Sequence, residues 1–140
     1  MMRFFLAMLA LMIAAPAYAH GDPFWMKRWQ FGELLGSPRA IASMKGIPTE
    51  YLELRRDRVD HPLISGVCAN KVDYSDLKHR TRAALAKRVG AFWRFPAAVE
   101  RPGSVSGWIG CNRANVAAVA FVNPRLGYLF FEDGLVITLH

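Results

Sequence analysis

Basic side chains are concentrated between Asp76 and Arg94, where six lysines and arginines stand against one aspartate. On a helix, Arg80, Lys87 and Arg94 would share one side, with Trp93 at its edge. A positive stripe beside an aromatic ring can bind phosphate groups and stack bases. The alternative is a solvated helix face, which charged runs usually form. The segment is therefore a candidate site for a polyanion or an anionic surface.

A second candidate is the string Gly107–Arg113, in which two glycines flank Trp108 and precede a cysteine. Tryptophan and arginine are enriched at the energetic centres of protein interfaces, so a loop presenting Trp108 and Arg113 would suit a protein partner. In the structural alternative, Trp108 packs on a disulfide and the glycines permit a tight bend. Both interpretations stay open at this point.

Motifs that specify a reaction are missing from the sequence. Gly103–Gly107 resembles a nucleophile elbow in outline, but Val105 stands where G-x-S-x-G needs serine. There is no H-E-x-x-H, no P-loop and no G-x-G-x-x-G. Carboxylates distant in sequence could still meet as a hydrolase site. We therefore assign no catalytic residue and keep a small cell-envelope hydrolase as an alternative to a protein that acts by binding.

The first 19 residues predict a cleavable secretory signal peptide. A basic residue precedes the apolar run Phe4–Ala15, and a proline then breaks this run before the small-x-small sequence Ala17–Ala19. The run is too short to span a bilayer as a helix, which needs about 20 residues. We expect cleavage between Ala19 and His20 and export to the periplasm or the exterior.

Cleavage at that position would make His20 the first residue of the mature chain. Its α-amino nitrogen and ring Nδ1 could chelate Cu(II), and one further imidazole would complete a three-nitrogen site. This arrangement resembles the histidine brace of copper-dependent polysaccharide monooxygenases and of some periplasmic copper carriers. The resemblance implies a copper cofactor and a second histidine, for which His61, His79 and His140 are the candidates.

Two cysteines, Cys68 and Cys111, are the only ones in the chain. An even number in an exported protein predicts a disulfide, because an oxidising compartment lets thiols pair. A bridge closing a loop of this length would stabilise the fold by roughly 4 kcal/mol. A reactive thiol is the alternative, but neither cysteine sits in a C-x-x-C motif.

Helices are expected in the first third of the mature chain. Asp22 and Pro23 form a helix start signal before apolar residues at helical spacing in Phe24–Leu35. Pro38–Lys45 repeats the start signal and predicts a second, short helix. Ile47–Val59 fits a helix or a strand equally.

A long amphipathic helix is predicted from Asp73 or Ser75 to Trp93. Leu77, Leu85, Val89 and Phe92 fall on one arc, which Arg88 interrupts, and polar residues fall on the other. The Phe95–Pro96 pair ends it, because a residue before proline avoids the helical region.

Three β-prone runs separated by turn signals close the chain, at Val116–Val122, Gly127–Phe131 and Leu135–Leu139. We therefore expect a single α+β domain over residues 20–140, with N-terminal helices and the long helix packed on a three-stranded antiparallel meander.

The resulting functional expectation is a small exported binding protein. The full chain carries a formal charge of +7, of which the leader holds one arginine. The expected partner is another envelope or secreted protein, as for inhibitors, immunity proteins and assembly accessories. This partner class rests on size, export and a single disulfide, and hence on analogy.

Overall fold

The architecture is a curled antiparallel sheet of seven strands with short helices beside it. The computed structural model describes residues 21–47, 50–61, 68, 71–90, 94–111, 114–131 and 133–140. In these ranges the strands are β1 (Arg28–Leu35), β2 (Tyr51–Leu54), β3 (Val59–Asp60), β4 (Val105–Cys111), β5 (Ala114–Asn123), β6 (Leu126–Phe130) and β7 (Val136–Leu139). Their spatial order is β3-β2-β1-β7-β6-β5-β4. The helices are α1 (Pro38–Ala42), α2 (Arg82–Val89) and a 3₁₀ helix (Ala97–Glu100).

The predicted α+β fold is wrong, and the N-terminal helix shows why. The segment Phe24–Leu35 contains a turn followed by β1. Trp25 lies in the turn and Trp29 in the strand, and both indoles stack on the ring of Phe121, with centroids 5.8 and 5.4 Å apart. Their spacing of four residues is typical of one face of a helix. Here the two residues lie in a turn and a strand, and both are buried because they contact the same aromatic ring.

The two neighbouring segments follow local signals more closely. A helix begins at Pro38 as predicted, with the Ser37 hydroxyl accepting from the backbone N–H of Ala40 at 3.1 Å, but it ends at Ala42. The ambiguous Ile47–Val59 segment contains a strand, β2, which pairs with β1 and β3.

The predicted long helix is also wrong, since only Arg82–Val89 is helical within the described residues. Thr81 caps α2, and the Glu100 carboxylate accepts the backbone N–H of Arg82 at 2.6 Å. Residues 73–81, which we name the edge segment, instead run beside β4, where Asp73 bridges to Gly110 and Lys78 to Ser106. Of the predicted helix, Phe92 and Trp93 lie outside the described residues.

The apolar arc of that predicted helix is divided between two cores. Leu77 packs in a large core with Trp29, Phe121 and the disulfide, whereas Leu85 and Val89 pack in a small core. The cores occupy opposite faces of the sheet, because alternate residues of β5 enter each one. A regular spacing of apolar residues therefore arose from two different burial environments.

The three C-terminal strands are present, but they are the middle of a larger sheet. β5, β6 and β7 pair antiparallel in sequence, and β1 and β4 flank them. β4 contains most of the string Gly107–Arg113, for which a recognition loop was one of two interpretations, and Trp108 pairs there with Ala118. Its two glycines weaken strand propensity, which explains why sequence patterns did not indicate it.

The predicted disulfide between Cys68 and Cys111 is confirmed. The Cα atoms are 5.5 Å apart, and both residues are buried in the large core. Cys111 is the last residue of β4. No helix in the described part of the chain is long and apolar enough to cross a membrane. The predicted leader and its cleavage site lie outside the described residues.

Candidate functional site

A groove of about 650 Å³ runs between the edge segment and α2. The edge segment forms one wall and one side of the helix forms the other. Its described lining consists mainly of charged and polar residues: Asp76, Lys78, His79, Arg80, Thr81, Ala84, Lys87 and Arg88. The volume lies within the roughly 300–1,000 Å³ range of small-molecule sites.

The helix wall follows from the spacing of residues on α2. Ala84, Lys87 and Arg88 are three and four residues apart and therefore share a face. Leu85 and Val89 occupy a neighbouring face and are buried against the sheet. Burial of this apolar pair turns the two basic side chains toward the edge segment.

Asp76 holds the two walls together. Its Oδ1 accepts from Arg80 Nη2 at 3.0 Å and from Arg88 Nε at 3.1 Å, and its Oδ2 accepts from the backbone N–H of Trp108 at 2.8 Å. Burial alone would raise the pKa of this carboxyl, but the Trp108 N–H and the Arg88 and Arg80 guanidinium groups lower it below its ordinary value. Asp76 is therefore an ionised cross-link at neutral pH.

Arg80 is a structural cation and not an accessible one. The residue is 8% exposed. Besides the Asp76 carboxylate, it donates to the backbone oxygens of Asp76, at 2.8 Å, and of Ser106. A buried guanidinium is stable only when it is paired in this way. Arg80 therefore fastens the edge segment to β4, with three of its five N–H donors bonded inside the protein.

Gly107 is required for this close approach. A Cβ atom there would lie 2.7 Å from Arg80 Nη1 and closer still to Asp76 Oδ2. The residue also has a φ of 153°, which side chains rarely adopt. The sequence interpretation assigned this glycine to a tight bend, whereas in the structure it leaves room for the Asp76–Arg80 pair.

His79 is held in one orientation by its Nδ1 atom. Nδ1 lies 3.1 Å from the backbone oxygen of Ser104 and 3.2 Å from its hydroxyl, and that hydroxyl donates to Val99 O at 2.6 Å. Since both Ser104 atoms act as acceptors, Nδ1 carries the proton. Nε2 has no hydrogen-bond partner among the described residues.

The same geometry shows that Ser104 and His79 are not a nucleophile–base pair. A base would have to accept the serine proton, but Nδ1 donates and the serine proton is bonded to Val99. Ser104 is also only 1% exposed. The contact positions the imidazole and leaves its other nitrogen available at the groove.

The groove has an uncompensated positive charge. Four lysines and arginines and one carboxylate line it, which gives a formal charge of +3 with His79 neutral. Lys78 and Lys87 form no ion pair with any described residue.

The other basic cluster of the fold is compensated. Arg28, Arg55, Arg56 and Arg58 all form ion pairs, with the carboxylates of Glu53, Asp60 and Asp22. The groove differs from this cluster because four of its lining cations share one carboxylate, whereas the four arginines share three.

The predicted binding residues are only partly brought together. Arg80 and Lys87 both line the groove, while Arg94 is exposed and is not part of its lining. Trp108 is half-buried against the small core, and its Nε1 has no hydrogen-bond partner among the described residues. Trp93 and Arg113 lie outside the described residues.

The histidines proposed for copper occupy separate environments. His61 is buried with its ring 4.8 Å from that of Phe31, and His140 lies over Gly32 at the end of β7. The described residues contain no group of three or more His, Cys, Asp or Glu side chains that could hold a metal ion. His20 lies outside them, so the copper site stays a prediction.

Sequence patterns did not single out Asp76, Lys78 or Arg88 as site residues. Arg88 did leave a signal, since it interrupts the apolar arc of the predicted helix. A charge at such a position indicates a partner, which is Asp76. The partner could not be predicted, because the intervening residues were expected to be helical.

Comparison of the chain with protein-family models found no match, and comparisons with curated proteins and with solved structures found no significant similarity.

Proposed function

We propose that this chain is a small exported binding protein that recognises an anionic partner through the groove between the edge segment and α2. The proposal rests mainly on the charge of Lys78 and Lys87, which line the groove without any ion pair among the described residues. Cations gathered in a concave site raise the local concentration of anions and speed their association.

The internal contacts of the groove support a binding role. Asp76 and Arg80 are bonded to each other and to β4, so they fix the walls before any ligand arrives. A preformed site loses less conformational entropy when it binds. The lysines are the groups left to meet a partner.

The narrower expectations from the sequence stay predictions. An envelope or secreted protein would fit the groove if it presented an acidic surface. The hydrolase alternative requires a pair of carboxylates, and the described lining of the groove contains a single one, that of Asp76.

The test is equilibrium binding to immobilised polyglutamate, heparin and polyphosphate. We expect at least one of these polymers to bind. The double variant K78Q/K87Q should raise its Kd by at least about tenfold, because a charge-assisted hydrogen bond contributes about 1.5–3 kcal/mol. Affinity should also fall as salt is raised.

The matched control is the double variant K45Q/R125Q, which removes the same charge from exposed residues that do not line the groove. It should weaken binding by less than about threefold, because distant exposed charges are screened. Equal losses in the two double variants would show non-specific attraction. No binding to any of the three polymers would also contradict the proposal.

A further inference from the structure

We propose that the group bound in the groove is a phosphate monoester carried by a small organic molecule or a lipid headgroup. This inference rests on the proposed function and specifies its ligand. It starts from the number and direction of donors that remain after the internal contacts of the groove are satisfied.

The first reason is charge. A phosphate monoester carries about −1.5 to −2 charges at pH 7, whereas a sulfate ester or a single carboxylate carries one. The groove has a formal charge of +3, and two of its cations, Lys78 and Lys87, form no ion pair with a described residue. A dianion can pair with both ammonium groups, and a monoanion would leave one of them uncompensated.

The second reason is the arrangement of donors on two walls. Lys78 belongs to the edge segment, and Lys87 and Arg88 belong to α2. A tetrahedral phosphate with three terminal oxygens can accept from both walls at once. A planar carboxylate has two oxygens and is satisfied by a single guanidinium.

The third reason is the state of Arg88. Its Nε is bonded to Asp76 Oδ1 at 3.1 Å, and its two terminal nitrogens form no ion pair with a described residue. The bond to Asp76 fixes the plane of the guanidinium and leaves its terminal edge available. A guanidinium held in this way suits bidentate recognition of phosphate.

The size of the groove indicates that the phosphate is attached to an organic group. About 650 Å³ is the volume of a small-molecule site and exceeds what a lone phosphate ion needs. Ala84 and the aliphatic stems of the lysines add apolar surface to the lining.

The experiment is a calorimetric titration of the purified protein with glycerol 3-phosphate and, separately, with succinate. Succinate is a dianion of similar size whose charges are carboxylates. We expect glycerol 3-phosphate to bind at least about tenfold more tightly than succinate. K78Q and K87Q should each weaken its binding by about tenfold, and K45Q should change it by less than about twofold.

A second arm separates the two sources of phosphate. Phosphatidylcholine vesicles containing phosphatidic acid present a monoester, and those containing phosphatidylglycerol present a diester. Lysine-dependent binding to phosphatidic acid vesicles alone, with no binding of glycerol 3-phosphate, would assign the ligand to a lipid headgroup. Binding of glycerol 3-phosphate would assign it to a soluble phosphate.

Two outcomes would overturn the inference and are distinguishable from each other. Equal, lysine-dependent binding of succinate and glycerol 3-phosphate would leave the groove as an anion site without phosphate preference. Where glycerol 3-phosphate does not bind, equal binding to the two vesicle types would have the same meaning. Failure of every anion, including the polymers above, would overturn the proposed function as well.

Discussion

The carboxylate of Asp76 accepts the backbone N–H of Trp108 at 2.8 Å and so takes the place of a strand carbonyl at the edge of the sheet. On either side, the N–H of Ser106 donates to Lys78 O at 2.8 Å and the N–H of Gly110 donates to Asp73 O at 3.2 Å. Three successive outward donors of β4 are therefore bonded to the edge segment. An edge strand closed in this way cannot pair with another chain there.

Replacing Asp76 with asparagine should lower the free energy of unfolding by about 2 kcal/mol at neutral pH, because Arg80 would keep its buried charge without a counterion. Urea denaturation followed by tryptophan fluorescence measures this change. The control is Asp22→Asn, which breaks an exposed pair with Arg56 and should cost less than about 0.5 kcal/mol. Equal effects of the two substitutions would contradict a structural role for Asp76.

The contribution of Asp76 should also disappear in acid. Its pKa in the folded protein is lower than in the unfolded chain, so its stabilisation is complete above about pH 5 and is lost as the pH falls through the folded-state pKa. The difference in unfolding free energy between the wild type and Asp76→Asn should be constant from pH 7 to about 5 and should shrink below that. A difference that shrank between pH 7 and 5 would assign the effect to another group.

Replacing Gly107 with alanine should destabilise the fold more than the same change at Gly103. Both positions have positive φ, and the backbone strain costs about 1–2 kcal/mol at each. A Cβ at Gly103 meets nothing within 4 Å, whereas one at Gly107 collides with Asp76 and Arg80. We expect an additional loss of at least about 1 kcal/mol for Gly107→Ala, measured by urea denaturation. A similar loss of unfolding free energy at the two positions would mean that the edge segment shifts at little energetic cost.

Replacing Ser104 or Ser106 with alanine should have different effects on stability, although both serines are buried and lie two residues apart. Ser104 Oγ donates to Val99 O at 2.6 Å, and Ser106 Oγ has no hydrogen-bond partner among the described residues. Ser104→Ala should lower the free energy of unfolding by at least about 1 kcal/mol, because the bond to Val99 and the contact with His79 are both lost. Ser106→Ala should leave the free energy of unfolding unchanged or raise it by up to about 1 kcal/mol. The midpoints of thermal unfolding compare them directly. Destabilisation by Ser106→Ala would reveal a partner for that hydroxyl.

Removal of the disulfide should lower the free energy of unfolding by about 4 kcal/mol, because Cys68 and Cys111 close a loop across 43 positions. The double variant C68A/C111A and the wild type in reductant should agree, and reductant should have no further effect on the double variant. An unchanged wild type in reductant would contradict the predicted bridge.

The features that the sequence determined by itself are local or covalent. The cap and proline at Ser37–Pro38 started a helix where expected, since a hydroxyl bonded to a nearby N–H needs no distant partner. The apolar runs and turn signals after residue 115 located β5, β6 and β7. Cysteine number predicted the disulfide, because only one pairing within the chain was available. The export signal stays a prediction.

The tertiary structure alone decided the features that depend on a distant partner. Trp25 and Trp29 have helical spacing, but the Phe121 ring holds them in a turn and a strand. Arg80 was expected on an exposed face and is buried, because the Asp76 carboxylate and the Ser106 carbonyl satisfy its charge. The periodicity of apolar side chains indicates which residues are buried, but it does not indicate which residues they contact. The groove depends on such partners, because it forms where the edge segment leaves the helix and lies beside β4.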